Sequence, residues 1–119
     1  MTNQRRAIGA YGERLAEHHL SQQGLVILAR NWRCSAGEID LILRDGDDLV
    51  FCEVKTRRSE TYGAPAEALS RAKVQRLRRL AARWLAENTV RPREVRFDVV
   101  AVTPQPKGPA QIEHLRAAF

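Results

Sequence analysis

Three charged side chains interrupt the most apolar part of this chain. Within "GEIDLILRDGDDLVFCEVKTR", residues 37–57, Asp40, Glu53 and Lys55 stand where a hydrophobic hairpin would ordinarily carry neutral groups. Two carboxylates brought together repel unless a cation or a proton separates them. Hard oxygen ligands of this kind suit Mg²⁺, which keeps several waters and takes substrate phosphate as a further ligand. A lysine beside them is a point charge able to hold a phosphate oxygen or an attacking water. Those are the parts that phosphodiester hydrolysis needs. The plainer account is a solvent-facing strand with an ordinary Glu53–Lys55 or Asp40–Lys55 ion pair, because E-x-K and a single Asp occur in many strands.

For the chemistry to hold, two strands must aim these groups at one place. Residues 38–44 and 49–55 read as strands joined by "DGDD", a hairpin signal. Side chains alternate faces along a strand. Leu49, Phe51, Glu53 and Lys55 therefore share one face, with Val50, Cys52 and Val54 on the other. Asp40 shares a face with Ile42, opposite Ile39, Leu41 and Leu43. An ordinary register lets Asp40 meet Glu53.

The flanking elements follow from periodicity. Residues 4–23 place Ile8, Tyr11, Leu15, Ala16, His19 and Leu20 at helical spacing, with Gly24 as the stop. Gly9 and Gly12 weaken the early turns of that helix unless they permit close packing or a ligand. Residues 25–31, "LVILARN", read as a short buried strand, and 59–65, "SETYGAP", as a polar loop. Residues 66–87 form the clearest helix, with Val74, Leu77, Ala81, Trp84 and Leu85 as its core stripe. Arg76, Arg79 and Arg83 make a second, basic stripe. Residues 94–102 are a valine-rich strand, and the last ten residues suit an edge strand. Asp98 interrupts that strand as a structural hydrogen-bonding group. The helix at 66–87 is a crossover, so the strand after it runs parallel to its neighbour. The expected fold is α/β, a small mixed sheet flanked by helices in the order α-β-β-β-α-β(-β), within a single domain over residues 1–119.

Composition narrows the class. The chain has 119 residues, 44% hydrophobic and 29% charged, which is globular rather than disordered. Its apolar runs are too short to span a bilayer, and its start lacks a signal-peptide pattern. Cys34 and Cys52 follow no zinc spacing with His18, His19 or His114; Cys52 reads as a small buried hydrophobe, and a reduced cytoplasmic setting is expected. The net charge is +6. Residues 1–60 carry nine charges of each sign, whereas residues 61–119 carry eleven basic and five acidic side chains. A segregated excess of this kind suits a polyanionic partner, with a solvated basic surface as the bland alternative.

The stretches "GAYGERLAEHHL", "GLVILARNWRC", "GEIDLI", "VFCEVKTR", "YGAPAEALSRAKVQRL" and "RFDVVAV" resemble the YraN-like family of small bacterial proteins. With the hairpin and the element order, they also look like the PD-(D/E)xK nuclease superfamily and its restriction-endonuclease-like fold. Archaeal Holliday junction resolvases are the nearest analogues. The resemblance implies that Asp40 and Glu53 bind Mg²⁺ or Mn²⁺ and that Lys55 is the lysine of E-x-K. It matches Glu13 to a helical glutamate that reaches the metal, although Glu13 read alone is a solvent-facing helix residue. Ile39 stands where the superfamily name has proline. The implied activity is metal-dependent cleavage of DNA, including branched or structured DNA, and the resolvase analogy allows a homodimer. Arg57, Arg58, Tyr62, Lys73, Arg76, Arg79 and Arg83 are the candidate nucleic-acid contacts, suited to phosphate rather than to base reading. Lys73 is equally a supporting residue for the site or plain surface charge. Nuclease folds also serve as binding modules, so a non-catalytic nucleic-acid-binding module is the second expectation. A domain whose basic face meets an acidic protein is the third.

Overall fold

The computed structural model describes residues 3–57 and 69–119. Helix α1 (Asn3–Gln22) leads into three strands, β1 (Val26–Cys34), β2 (Gly37–Asp45) and β3 (Asp48–Thr56). Helix α2 (Arg71–Glu87) then returns the chain to β4 (Val95–Thr103) and β5 (Gln111–Leu115). The five strands form one mixed sheet in sequence order. The β1–β2, β2–β3 and β4–β5 pairs are antiparallel, and β3–β4 is parallel, as the helical crossover requires. This is the expected α-β-β-β-α-β-β layout.

Each helix covers one face of the sheet. Ala16 and Leu20 of α1 pack on Leu41, Leu43, Val50, Cys52, Val100 and Val102. Leu77, Leu80, Ala81 and Trp84 of α2 pack on Ile39, Ile42, Leu49 and Phe51, where the Phe51 and Trp84 rings meet edge to face. Leu80, absent from the expected stripe, is among the most buried residues, while Val74 and Leu85 sit at the rim. Gly24 stops α1 in the left-handed region (φ 92°), and the Leu25 N–H closes the turn on the Leu20 carbonyl.

Three local expectations are corrected. β1 is a bulged edge strand rather than a buried one: Val26 and Leu28 are exposed, and the register slips between Ile27 and Ala29. Helix α2 begins at Arg71 because the Ser70 hydroxyl accepts from the Lys73 N–H and caps it; residues 66–68 and the loop at 59–65 lie outside the described residues. Ile39 faces α2 together with Ile42, not the opposite side with Leu41 and Leu43. The alternation of β2 thus breaks at Asp40. On β1 the break falls at Asn31, which takes φ 49°, a left-handed conformation that Asn tolerates better than most residues.

The far end of the sheet is tied by one buried acid. Asp98 is fully buried and accepts from the Arg96 guanidinium, the Ala117 N–H and His114 Nε2. Burial alone would raise its carboxyl, but the bonds from His114 and Arg96 outweigh that and hold it below the ordinary Asp value. Arg96 also reaches Asp45, and so does Arg116, so the network joins β2, β4 and the C-terminal segment.

Close packing of α1 on β3 positions the helix that carries Glu13. A Cβ at Gly12 would lie 1.8 Å from Thr56 Oγ1 and 3.0 Å from Thr56 Cβ. Gly12→Ala should therefore lower stability by about 1–3 kcal/mol despite the better helix propensity of alanine. Adding Thr56→Ala should recover part of the loss. Thermal melts of the three variants check this, and an unchanged Gly12→Ala melt would mean the helix does not approach so closely.

Candidate functional site

The β2–β3 ladder runs from Asp45↔Asp48 to Leu41↔Cys52. Continued by one step, it would set Asp40 across from Glu53. Instead, the Val54 N–H donates to Asp40 Oδ2 at 2.8 Å. The strands part here, and a side-chain carboxylate takes the place of a backbone acceptor. Asp40 is thereby anchored beside Glu53 rather than left to rotate into solvent.

Glu53 is buried, at 7% exposure, and two ammonium groups approach it. Lys55 Nζ lies 3.7 Å and Lys73 Nζ 3.6 Å from the same oxygen, Glu53 Oε1. Lys55 comes from the same strand two residues on, as the spacing of E-x-K demands. Lys73 comes from the first turn of α2, which the Ser70 cap fixes. The structure thus brings Lys73 to the carboxylates.

Glu13 reaches the same place from the opposite face. It lines, with Asp40 and Glu53, a cavity of about 700 Å³ between α1 and the sheet. Burial, Glu38 and Glu53 push its carboxyl up, against a hydrogen bond from Asn31. Asn31 was not singled out from sequence. Its signal is an amide in a strand, a residue type that strands disfavour.

The electrostatics follow from this convergence. Burial first, then the Glu53 charge, raises the Asp40 carboxyl to about 7, with Glu13 and Glu38 adding to it and the Val54 N–H opposing. Among the described residues, no three His, Cys, Asp or Glu side chains stand together so as to hold a metal ion unaided. A cation here would take one or two carboxylates and complete its shell with water or phosphate, the ordinary habit of Mg²⁺.

The remaining candidates are dispersed. Arg57 lines the cavity. Arg58 and Tyr62 lie outside the described residues. Arg76 and Arg79 are exposed on α2. Arg83 is engaged by Glu87 and by the Ser35 hydroxyl, at 3.1 and 3.2 Å. Arg78 instead lies over the Phe97 ring, 5.7 Å from its centroid.

Residues 12–102 match the family described as "Uncharacterised protein family UPF0102". The chain belongs to this family. That is the outcome expected of its YraN-like resemblance. A UPF0102 protein of Frankia alni is 58% identical over 113 residues, covering 95% of this chain and 94% of its own. One from Beutenbergia cavernae is 60% identical over 110 residues, covering 92% and 93%. One from a Nocardioides species is 55% identical over 112 residues, covering 94% and 90%. The similarity spans nearly the whole of each relative, and Glu13, Asn31, Asp40, Glu53, Lys55 and Lys73 all lie within the matched residues 12–102.

The raised Asp40 carboxyl has a consequence for stability. Its folded value, about 7, lies above the 3.8 of an ordinary Asp. Between these values the folded chain holds the extra proton. Stability from this group is therefore full below about 4 and declines as pH rises through about 7. Asp40→Asn should remove that decline, so that in EDTA at pH 8 the variant is at least as stable as the parent, with an excess on the order of 1 kcal/mol, the worth of about one pH unit. Millimolar Mg²⁺ or Mn²⁺ should raise the melting temperature of the parent and do little for the variant. A parent indifferent to both metals, with a variant less stable in EDTA, would leave Asp40 as a structural acceptor for the Val54 N–H.

Proposed function

We propose that this chain is a metal-dependent endonuclease that hydrolyses phosphodiester bonds in DNA, a PD-(D/E)xK-type enzyme on a restriction-endonuclease-like fold. The observation that carries the reading is the meeting of Asp40 and Glu53 where β2 and β3 part, with Lys55 and Lys73 both on Glu53 Oε1. The donor set fits a hard divalent cation. Asp40 and Glu53 offer adjacent carboxylate oxygens, and the Asp40 carboxyl, pushed up by burial and by Glu53, regains its charge most readily beside a cation.

Asp40 and Glu53 would hold Mg²⁺ or Mn²⁺, with Glu13 supporting the site from α1. When bound, the ion supplies Lewis-acid polarisation of the phosphate and a lowered pKa for water. Lys55 is placed to orient the attacking water or to meet charge developing on the phosphate. Lys73 holds the Glu53 carboxylate in its rotamer. The exposed Arg76 and Arg79 would contact backbone phosphates, with Arg57 nearer the cleaved strand. A cytoplasmic location fits the free Cys34 and Cys52. Among the described residues, no helix is long and apolar enough to cross a membrane.

The second reading, a nucleic-acid-binding module without catalysis, draws on the same basic side chains. Cleavage separates the two. Linear, flapped and four-way DNA should be cut with Mg²⁺ or Mn²⁺ and not with EDTA, and Glu53→Gln should abolish cutting. Binding without metal-dependent cutting would favour the module. Lys55→Met should reduce turnover far more than DNA affinity, because its charge acts in the transition state while many cations share in binding. Equal losses would make Lys55 a phosphate tether. Replacing Arg76 and Arg79 with Ala should weaken binding to unrelated duplexes alike, and flatten the salt slope by roughly one unit per lost phosphate contact. Weaker binding at an unchanged slope would remove these residues from the interface.

A further inference from the structure

The cavity beside the carboxylates is not acidic throughout. Glu13, Asp40 and Glu53 share its lining with Ile8, Tyr11, Val54 and Pro104, and Gly9 contributes no side chain. Its volume of about 700 Å³ falls within the range of pockets that enclose small organic groups. Tyr11 is 38% exposed, one residue before the tightly packed Gly12. It lies on the same helix as Glu13. Arg57 lines the same recess.

We propose that this recess seats the base of an unpaired nucleotide, stacked against Tyr11, while its phosphate lies toward the carboxylates. The proposal rests on the nuclease reading above and names its substrate class as single-stranded segments. A base is flat, apolar on its faces and joined to a phosphate, and the recess offers an aromatic and aliphatic wall continuous with the site proposed to act on phosphate. A base inside a duplex is held by its partner and its stacked neighbours, so it enters a recess only after it is unpaired. Flaps, branch points and single strands present such bases without that cost.

Binding with Ca²⁺ in place of Mg²⁺ isolates this step: the ion offsets the carboxylates, and a gel checks that the probes stay uncut. The probes are a fluorescent oligodeoxythymidylate, an abasic strand of equal length and charge, and a duplex of equal length. The parent should prefer the thymidylate over the abasic strand by about fivefold to a hundredfold, the worth of one base–aromatic stack. Tyr11→Leu and Gly9→Leu should erase that preference and leave duplex affinity unchanged. Gly9→Leu is chosen because Gly9 lines the recess and an added Cβ there meets nothing within 4 Å among the described residues, so the helix accepts the side chain without strain. Thymidylate affinity unaltered in both variants would overturn the inference while leaving the cleavage assay free to support the nuclease reading. A parent that binds neither strand nor duplex would overturn both.

Discussion

The arrangement depends on one hydrogen bond, from the Val54 N–H to the Asp40 carboxylate. Where two strands part, each loses a ladder partner, and a buried N–H left unpaired costs about 1–3 kcal/mol. Asp40 supplies the missing acceptor. The same bond fixes the carboxylate against Glu53 and away from water. One amide donor does not offset burial and a like charge, which is why the Asp40 carboxyl ends near 7. The parting also opens the sheet where α1 and α2 can both reach it. Glu13 arrives by way of the Gly12–Thr56 contact, and Lys73 by way of the Ser70 cap.

Much of this was legible in the sequence because strands have a period of two. The "DGDD" turn sets Leu41 opposite Cys52, and the Glu53–Lys55 spacing places both charges on the α2 face. The break at Asn31 and Asp40 was not legible. Two apolar residues, Ile39 and Leu41, look equivalent in a pattern, yet they join opposite cores at the level where Asn31 of the neighbouring strand is left-handed. Register between β1 and β2 is a long-range property that local spacing does not carry. Leu77, Leu80, Ala81 and Trp84 stand at i, i+3, i+4 and i+7 and are buried together, while Val74, one turn nearer the start of α2, lies at the rim. Asp98 was legible as a hydrogen-bonding group, but its partners were not. Arg96 lies two residues away and His114 sixteen, on an edge strand whose pairing no pattern announces.

The basic excess is also narrower than its count implies. Arg93 pairs with Asp48, Arg96 with Asp98 and Asp45, and Arg116 with Asp45. Arg83 pairs with Glu87, and Arg78 covers Phe97. These side chains of the second half neutralise acids or cap the core. Arg76 and Arg79 remain exposed on α2, whose Lys73, three residues before Arg76, points to Glu53. Residues three apart share a helix face, so the exposed charge of α2 forms a row that starts at the carboxylates.

That row and the carboxylates act in opposite directions on a polyanion. A module built only to bind nucleic acid gains from cations and loses from each acid in its path. Here Glu13, Asp40 and Glu53 crowd together beside Lys55, Lys73 and Arg57, and they lie partly out of water, where like charges repel more strongly. Such a cluster opposes a phosphate unless a further cation joins it. An acidic cluster set beside a basic row makes physical sense when the basic row holds the backbone and the cluster holds the ion that acts on it. The apolar wall at Tyr11 extends the same logic. It adds affinity through a base, a group whose attraction the carboxylates do not oppose.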